Sequence, residues 1–415
     1  MKWPIQLFTT EVTESTGKER KKERRKKERK NLREEMTGKD KDGESAAGMK
    51  ERKTPGEMGY RMPAEWEAHA GTWLGWPHEL TDWPGKFAPI PWAFAEIVRH
   101  LSGVERLYLL VETRAAETRV RGILKKAGAN LETVDFFVVP TDRGWMRDSG
   151  PICVKNAEGE VAYNHFVFNG WAKYANHKKD AAVVEKANKK LKRRVFLPMH
   201  KGRRVVLEGG SIDVNGRGSL LTTEECLQSK VQERNPGFTR QDYEELFRAQ
   251  LGVTNVLWLG NGIAGDDTHG HVDDLSRFVN ATTVVTIVEE DPKDANYAPL
   301  QENLARLKSM KDQDGKALRV ETLPMPRPVW FDGQRLPASY ANFYIANKLV
   351  IVPTFNDAND RVALNTLSKL FPEREVVGVH CRDLVLGLGT LHCMTQQEPA
   401  AGNTDPVAEA IGFLG

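Results

Sequence analysis

The chain has 415 residues, of which 40% are hydrophobic and 28% charged, a composition typical of a globular enzyme with a sizeable core. No apolar run approaches the roughly 18–20 residues that a membrane helix requires, and four cysteines are too few for a disulfide scaffold. Because none of the four lies in a Cys-x-x-Cys pair, we expect a reducing, cytoplasmic compartment.

The formal net charge of +3 belongs to the N-terminal part of the chain. Residues 1–60 hold 17 basic and 12 acidic groups, whereas the remaining 355 residues hold 43 and 45. Residues 18–33 carry almost no apolar side chain and cannot bury enough surface to offset chain entropy. The sequence therefore predicts a disordered basic extension over residues 1–57 and a single, slightly acidic folded domain over residues 58–415.

Strands and helices alternate after residue 92, in a pattern typical of a mixed α/β fold. Strands are predicted at residues 106–111, 136–140, 161–168, 205–207, 256–259, 279–288, 343–353 and 376–379. Helices are predicted at residues 93–101, 243–251, 300–310 and 361–371. Asn215-Gly216, between two short strand candidates, indicates a β-hairpin. Because hairpins occur among the helices, the order differs from the strict βαβ alternation of a doubly wound sheet.

Four carboxylates and two imidazoles fall within residues 266–274, in the order Asp-Asp-Thr-His-Gly-His-Val-Asp-Asp. Carboxylates this close raise one another's pKa, so we expect a cation beside them: a metal, an arginine or a cationic substrate. The alternative is that the segment is a solvated acidic loop. In an extended segment, His269 and His271 would point to the same face, which is compatible with zinc or iron ligation. The other eight histidines form no metal-spaced pair.

Three further segments carry candidate functional side chains. Asp148 lies in Trp-Met-Arg-Asp-Ser-Gly-Pro, just after an apolar strand. Glu208 ends an apolar strand before two glycines, where a partly buried carboxylate needs a partner. Cys393 follows a glycine-rich turn, where backbone N–H groups can stabilise a thiolate. The structural alternatives are an Arg147–Asp148 surface pair, a tight turn at Glu208 and an ordinary buried cysteine at 393.

Together, motifs spread from about residue 60 to residue 399 resemble those of the agmatine deiminase family of guanidine-modifying enzymes. The matching segments are residues 62–67, 73–78, 83–87, 147–151, 208–213, 265–268, 271–273, 337–344 and 387–397. The resemblance implies an α/β fold, namely a five-bladed pseudo-symmetric α/β propeller (pentein) of ββαβ modules around a central active-site channel. It also implies hydrolysis of agmatine to N-carbamoylputrescine and ammonia, a step of putrescine and polyamine biosynthesis.

The resemblance implies three roles in the chemistry itself. Cys393 resembles the nucleophile that forms a covalent thiouronium intermediate. His271 resembles the general acid and base, and Glu208 resembles the group that orients His271. A low-pKa environment for the Cys393 thiol, created by His271 and the bound cation, is expected on the same grounds.

Four more residues resemble substrate-contacting groups of the family. Asp148 and Asp273 resemble the carboxylates that grip the guanidinium, whose planar fork suits paired carboxylates. Asp267 resembles a further substrate-contacting carboxylate, and Trp145 an aromatic wall of the channel. His269 departs from the family pattern, in which this position is acidic or small and polar.

Three alternatives remain open on the sequence. A deiminase of arginine or peptidyl-arginine would use the same guanidinium machinery. A metal-dependent hydrolase would use His269, His271 and their aspartate neighbours. Nucleic-acid binding would rest on the basic extension, because the core lacks a basic excess. The resemblance implies no cofactor or metal, a small-molecule substrate (agmatine), no nucleic-acid or membrane partner of the core, and a homodimer.

Overall fold

Short strands and amphipathic helices alternate along the chain in the computed structural model, which describes residues 53–402. The extension predicted over residues 1–57 lies mostly outside the described residues, as do residues 403–415. Its last few residues are packed, however, because Gly56 lies so close to the backbone of Arg248 that a β-carbon would clash. The folded part of the chain therefore begins before the predicted boundary at residue 58.

The structure has the following strands and helices within the described residues. The strands are β1 (His69–Gly75), β2 (Leu107–Val111), β3 (Val134–Val138), β4 (Ile152–Lys155), β5 (Val161–Asn164), β6 (Arg194–Phe196), β7 (Met199–His200), β8 (Arg203–Arg204), β9 (Asp213–Val214), β10 (Ser219–Thr223), β11 (Asn255–Leu259), β12 (Ser276–Asn280), β13 (Thr283–Val288), β14 (Arg319–Pro324), β15 (Val329–Phe331), β16 (Gln334–Leu336), β17 (Tyr344–Ile345), β18 (Leu349–Thr354), β19 (Glu375–His380) and β20 (Thr395–Pro399). The helices are α1 (Ile90–Leu101), α2 (Arg114–Lys126), α3 (Met146–Ser149), α4 (Lys178–Ala181), α5 (Val183–Leu191), α6 (Glu224–Gln228), α7 (Arg240–Leu251), α8 (Tyr297–Ser309), α9 (Asn359–Leu370) and α10 (Leu391–Met394). None of them combines the length and apolarity that crossing a bilayer requires.

Five sheets repeat one arrangement of strands. In β4-β5-β6, β9-β10-β11, β12-β13-β14 and β17-β18-β19, an antiparallel pair is followed by a parallel pair. The fifth sheet, β20-β1-β2-β3, starts with the antiparallel pair β20-β1, so the last described strand pairs with the first. A parallel pair needs a crossover, which α5, α7, α8, α9 and α1 supply. Four of these sheets are thus ββαβ modules, whereas the fifth adds a second crossover, through α2, to the parallel strand β3. The mixed α/β prediction is confirmed.

Two predicted strands prove to be hairpins. Residues 279–288 hold the end of β12, a reversal and β13, where the Asn280 side chain accepts a hydrogen bond from the Thr282 N–H at 3.1 Å. Residues 343–353 hold β17 and β18, with the reversal closed by Ala346 N–H on Leu349 O at 2.7 Å. Both turns interrupt apolar runs that read as continuous strands. Residues 205–207 form no strand beyond one isolated bridge, and the strand predicted over 161–168 ends at residue 164.

The four predicted helices are confirmed as α1, α7, α8 and α9, whereas α2 and α5 were not predicted. α7 begins with a capping box between Thr239 and Asp242, which satisfies backbone N–H groups at the helix start. It ends at Gly252, which adopts the left-handed conformation with φ +67°. The buried face of α7 includes Tyr243 and Phe247, which pack into a core cluster with β10. The Asn215-Gly216 hairpin is also confirmed, as β9 and β10.

Candidate active site

The segments that precede the first strand of each sheet carry the predicted functional residues. Asp148 precedes β4, Glu208 precedes β9, Asp273 precedes β12 and Cys393 precedes β20, each by at most five residues. Asn342, which the sequence analysis did not single out, occupies the same position before β17. These segments meet: the Cys393 sulfur is 3.1 Å from Asn342 Nδ2 and 3.7 Å from Asp273 Oδ2. All five sheets therefore contribute to one site.

A cavity of about 780 Å³ reaches this cluster. Four of the seven predicted site residues line the cavity: Trp145, Asp148, Asp267 and Cys393. The other three are buried behind its lining: Glu208, His271 and Asp273. The structure thus brings the four sequence clusters to one place, with the thiol at the wall and the imidazole behind it.

Cys393 owes its position to the glycine-rich turn before α10. A β-carbon at Gly389 would lie 3.0 Å from the Cys393 Cβ and 3.1 Å from its sulfur. A β-carbon at Gly387 would lie 2.8 Å from the Trp83 ring and 2.9 Å from the Trp145 ring. The turn therefore needs glycine at both positions because the backbone passes directly beside the side chains of Cys393, Trp83 and Trp145.

The Cys393 sulfur faces one amide and several carboxylates. Burial and the carboxylates of Asp273, Asp274 and Asp148 raise the pKa of the thiol well above its usual range, and the Asn342 amide opposes this only in part. The protein groups alone therefore do not produce the low-pKa environment expected for this cysteine, an expectation that included the charge of a bound cation. The physical reason is that negative groups outnumber positive ones beside the sulfur.

Two buried carboxylates at the site, Asp148 and Asp273, have different partners. Asp148 accepts hydrogen bonds from the Trp171 indole N–H at 2.8 Å and from the Gly210 N–H at 3.0 Å. Burial raises the pKa of Asp148, and His271 offsets this only in part. Asp273 Oδ2 lies 2.7 Å from His392 Nδ1, which lowers the pKa of Asp273 against the effect of burial. Its Oδ1 has no hydrogen-bond partner among the described residues.

The imidazole of His271 lies between two carboxylates. Its Nδ1 is 3.8 Å from Asp148 Oδ1, and its Nε2 is 3.7 Å from Glu208 Oε2. Burial alone would lower the pKa of His271, but Asp148, Cys226 and Glu208 raise it well above its usual value. These groups therefore favour the protonated ring, which can donate a proton. A β-carbon at Gly210 would come within 2.5 Å of Nδ1, so this position requires glycine.

Glu208 is held by a fully buried arginine. Arg234 Nε lies 3.1 and 3.3 Å from the two Glu208 oxygens, and Arg234 also donates to the Thr268 carbonyl at 2.5 Å. Burial works against the Glu208 anion, but Arg234 and His271 lower its pKa to about 2. Glu208 thus stays ionised beside the imidazolium. Arg234 was missed because it lies in no recognised motif, and nothing in its local sequence sets it apart from a surface arginine.

His392, next to Cys393, bridges two carboxylates. Its Nε2 lies 2.8 Å from Glu65 Oε2, opposite the bond to Asp273. Glu65 also pairs with Arg147 at 3.1 Å and with Arg277 at 2.9 Å. Although Glu65 is buried, Arg277, His392 and Arg147 hold its pKa well below its usual value. Arg147 is therefore part of this network, and its alternative interpretation as a surface partner of Asp148 is wrong.

The outer part of the cavity is aromatic and acidic. The Trp145 ring stacks on Trp83 with centroids 5.7 Å apart, and its indole N–H donates to Asp82 at 2.9 Å. Burial raises the pKa of Asp82 to about 6. Asp267 pairs with Lys173 and accepts a hydrogen bond from the Tyr174 hydroxyl at 2.6 Å. The structure thus puts Trp145 in the wall and Asp267 toward the opening.

His269 and His271 do not act as the pair that the sequence suggested. His269 has φ +65°, and its ring lies 2.9 Å from Ser229 Oγ, away from the cavity lining. The extended backbone that would align the two imidazoles is therefore absent at this position. Within residues 53–402, the buried groups able to hold a metal are Glu208–Cys226–His271 and Asp273–Asp274–Cys393. Arg234 already occupies the first of these as the cation that pairs with Glu208.

The family was then identified by comparison. A family model described as Porphyromonas-type peptidyl-arginine deiminase matches residues 61–399. The chain belongs to this family. Agmatine deiminase of Stutzerimonas stutzeri is 34% identical over 84% of this chain and 97% of its own length. Agmatine deiminase of Pseudomonas fluorescens is 35% identical over 84% and 97%. The resemblance to agmatine deiminases that the motifs indicated is thereby confirmed.

Solved structures of this family have the same fold. Agmatine deiminase of Enterococcus faecalis superposes with a TM-score of 0.77 at 32% identity, covering 84% of this chain and 98% of that one. A cysteine-to-serine variant of C. jejuni agmatine deiminase with substrate bound gives 0.74 at 30% identity, covering 83% and 97%. The architecture is therefore the mixed-sheet α/β fold of deiminases.

Proposed function

We propose that this deiminase-family chain hydrolyses agmatine to N-carbamoylputrescine and ammonia. One observation carries the proposal: a thiol, two carboxylates and a protonated imidazole meet at the end of a cavity whose other charged walls are mainly acidic. This combination suits a cation that is attacked by sulfur. Agmatine carries a guanidinium for the buried end and an amine for the opening.

The guanidinium sits between Asp148 and Asp273 in this proposal. Both carboxylates keep acceptor capacity, most clearly at Asp273 Oδ1, which has no hydrogen-bond partner among the described residues. A planar guanidinium donates in a fork that matches such oxygens. Its positive charge offsets the carboxylates that raise the pKa of Cys393, so substrate binding itself favours the thiolate. The acidic site thus becomes reactive when it is filled.

The reaction then proceeds in two halves. The Cys393 thiolate adds to the guanidinium carbon, and His271 gives a proton to the departing nitrogen, which leaves as ammonia. A thiouronium bonded to Cys393 remains. His271 then removes a proton from a water molecule, the hydroxide adds to the same carbon, and the C–S bond breaks to restore the thiolate. Glu208 keeps the imidazole in place throughout.

The rim supports agmatine over arginine as the substrate. Asp82, Asp267 and Asp332 line the outer cavity and suit a terminal amine. Arg143 is the cation in the lining among the described residues, and it pairs with Asp82 and stacks on Tyr174 at 3.9 Å. An α-carboxylate would therefore find no free cation there. Arginine or peptidyl-arginine is the second candidate, because the family description names the latter.

The five modules support the finer fold proposal. Each module contributes one segment to the site, immediately before its first strand. We therefore propose a five-bladed pseudo-symmetric propeller around the active-site channel. It forms one catalytic domain that includes the packed residues just before the predicted boundary at residue 58, and the residues before these form the extension. All four cysteines are free and buried, which supports a reducing, cytoplasmic setting. A homodimer remains a family-level proposal.

Ammonia release tests the function. The purified protein is assayed with agmatine, arginine and a peptidyl-arginine, each with and without EDTA, and Cys393→Ala serves as the inactive control. Release from agmatine, insensitive to EDTA and lost in the variant, supports the proposal. Release mainly from arginine or the peptide would keep the mechanism and change the substrate. Loss with EDTA and survival of the variant would overturn the cysteine mechanism.

A further inference from the structure

Asn342 touches the nucleophile directly and has no role in the mechanism above. It lies immediately before β17 and is 1% exposed. Its Nδ2 is 3.1 Å from the Cys393 sulfur and 3.0 Å from Asp274 Oδ1, so each of its two amide hydrogens has one acceptor. Within the described residues, Asn342 supplies the side-chain donor that contacts this sulfur.

The orientation of the Asn342 amide is fixed by its other end. Its Oδ1 accepts hydrogen bonds from the Thr390 hydroxyl at 2.7 Å, the His392 N–H at 3.0 Å and the Cys393 N–H at 3.4 Å. A backbone N–H can only donate, so the atom that faces these groups must be the oxygen. The NH₂ group must therefore face the sulfur. The same contacts attach the loop of Cys393 to the Asn342 side chain.

This donor is needed because of what else surrounds the sulfur. Asp273, Asp274 and Asp148 all act against a negative charge on Cys393. His271, the positive group of the mechanism, is not among the side chains bonded to the sulfur. An N–H donor strengthens as its acceptor becomes ionised, since hydrogen bonds to a charged group are shorter and stronger. The donor therefore favours the thiolate over the thiol.

We infer that Asn342 is a catalytic residue that stabilises the Cys393 thiolate through its side-chain amide. The inference rests on the proposed cysteine mechanism. Asn342 acts twice in each turnover: it stabilises the thiolate that attacks, and it stabilises the thiolate that leaves when the thiouronium is hydrolysed. Thr390 is a positioning residue, because its hydroxyl holds the amide oxygen. Asp274 holds the second amide hydrogen and so keeps the NH₂ group turned toward the site.

Alkylation of Cys393 measures this role without any substrate. The rate of reaction with iodoacetamide is followed across pH by mass mapping of the Cys393 peptide, with Cys393→Ala as the background. Asn342→Leu has a similar volume and no donor, so we expect its thiol pKa to rise by about one unit or more, with roughly 10-fold slower alkylation at neutral pH. Its kcat for agmatine should fall roughly 10- to 100-fold with KM little changed.

Two further variants keep the test decisive. Asn303→Leu removes a buried asparagine whose amide binds Gly260 and Asn261 away from Cys393, so its alkylation profile should match that of the wild type. Thr390→Val removes only the hydroxyl that orients the amide, and should slow alkylation by a smaller factor. If Asn342→Leu does not fold, Thr390→Val decides.

Unchanged alkylation profiles in folded Asn342→Leu and Thr390→Val would overturn the inference. The proposed function fails in a different way, through the absence of ammonia release from agmatine by the wild type. That result would leave the alkylation comparison fully interpretable, so the two failures can be told apart.

Discussion

The inner end of the cavity and its rim are built in opposite ways. At the inner end, Asp148, His271 and Asp273 are almost completely buried, and each is in contact with another ionisable group. At the rim, Asp332 is exposed in the turn between β15 and β16, and Lys173 pairs with Asp267 in partial contact with solvent. Buried charges are costly unless they are paired, whereas exposed pairs contribute little.

We attribute the reaction itself to the inner groups and recognition of the far end of the substrate to the rim groups. The inner groups hold one another in place, so a change in one is transmitted to the others and to Cys393. Asp332 at the rim is exposed and has no ion-pair partner among the described residues, so it can change without disturbing the thiol. We therefore expect inner variants to alter the reaction itself and rim variants to alter mainly the preference for the substrate tail.

The largest effect is expected for Asp148→Asn. Removing one partner of a buried charge pair costs about 2–5 kcal/mol, which predicts a loss in kcat/KM of roughly 30- to 5,000-fold. Cys393 should nevertheless react faster with iodoacetamide at neutral pH, because Asp148 is one of the groups that raise its pKa. Asp135→Asn, at a surface pair with Arg106, is the control. Slower alkylation in folded Asp148→Asn would contradict the electrostatic account.

A smaller loss is expected for His392→Asn. An asparagine at this position cannot hydrogen-bond to Glu65 and Asp273 at the same time. Asp273, one of the two carboxylates proposed to bind the guanidinium, is then less firmly positioned. We expect kcat/KM for agmatine to fall roughly 10- to 100-fold, as for the loss of a charge-assisted hydrogen bond. His69→Asn, another buried histidine that does not contact Asp273, is the matched control for stability. Equal losses in the two variants would indicate a purely structural role for His392.

Acid unfolding tests the Arg234–Glu208 pair. The folded pKa of Glu208, about 2, lies below its ordinary value of 4.5, so its contribution to stability is complete above about pH 4.5 and is lost as pH falls toward 2. We expect Glu208→Gln to be less stable than the wild type at pH 7 by on the order of 2–5 kcal/mol. Urea unfolding should show this difference shrinking between pH 4.5 and 2. A difference independent of pH, or equal to that of exposed Glu245→Gln, would contradict it.

The smallest effect is expected at the rim. Asp332→Asn removes a carboxylate that has no ion-pair partner recorded among the described residues, and an exposed pair with the agmatine amine contributes about 0.2–1 kcal/mol. The KM for agmatine should therefore rise by at most about 5-fold, with kcat unchanged. Asp314→Asn, in an exposed turn away from the cavity, is the control. A fall in kcat would mean that the rim is not separate from the chemistry.

The sequence predicted the parts of the site that are local in the chain. The glycines around Cys393 and after Glu208 are visible as motifs, and the structure shows that a β-carbon would collide with the cysteine or with His271. The alternative in which His269 and His271 point to the same face fails because His269 adopts a left-handed backbone conformation, which the spacing of the two residues does not indicate. Local sequence motifs thus located the site, but they did not show which of its side chains bind one another.

The remaining contacts join residues that are far apart in the chain. Glu65 bonds His392 across 327 positions, and Asn342 contacts Cys393 across 51. Glu65, Asn342 and His392 lie within recognised motifs, but no local signal states that they bind one another. The five repeated sheets could not be predicted from the sequence either, because they share an order of strands and not a set of residues. The pairing of β20 with β1 joins the last described strand to the first across more than 300 residues, and no local pattern indicates it.

The central claim is that the inner end forms a covalent bond between Cys393 and the guanidinium carbon. It is tested most directly by quenching the protein with acid during turnover of agmatine and measuring the mass of the Cys393 peptide. We predict an adduct with the mass of agmatine less ammonia, which forms and decays with turnover and is absent from Cys393→Ala. Ammonia release from agmatine with no such adduct, or release that persists in Cys393→Ala, would contradict the account.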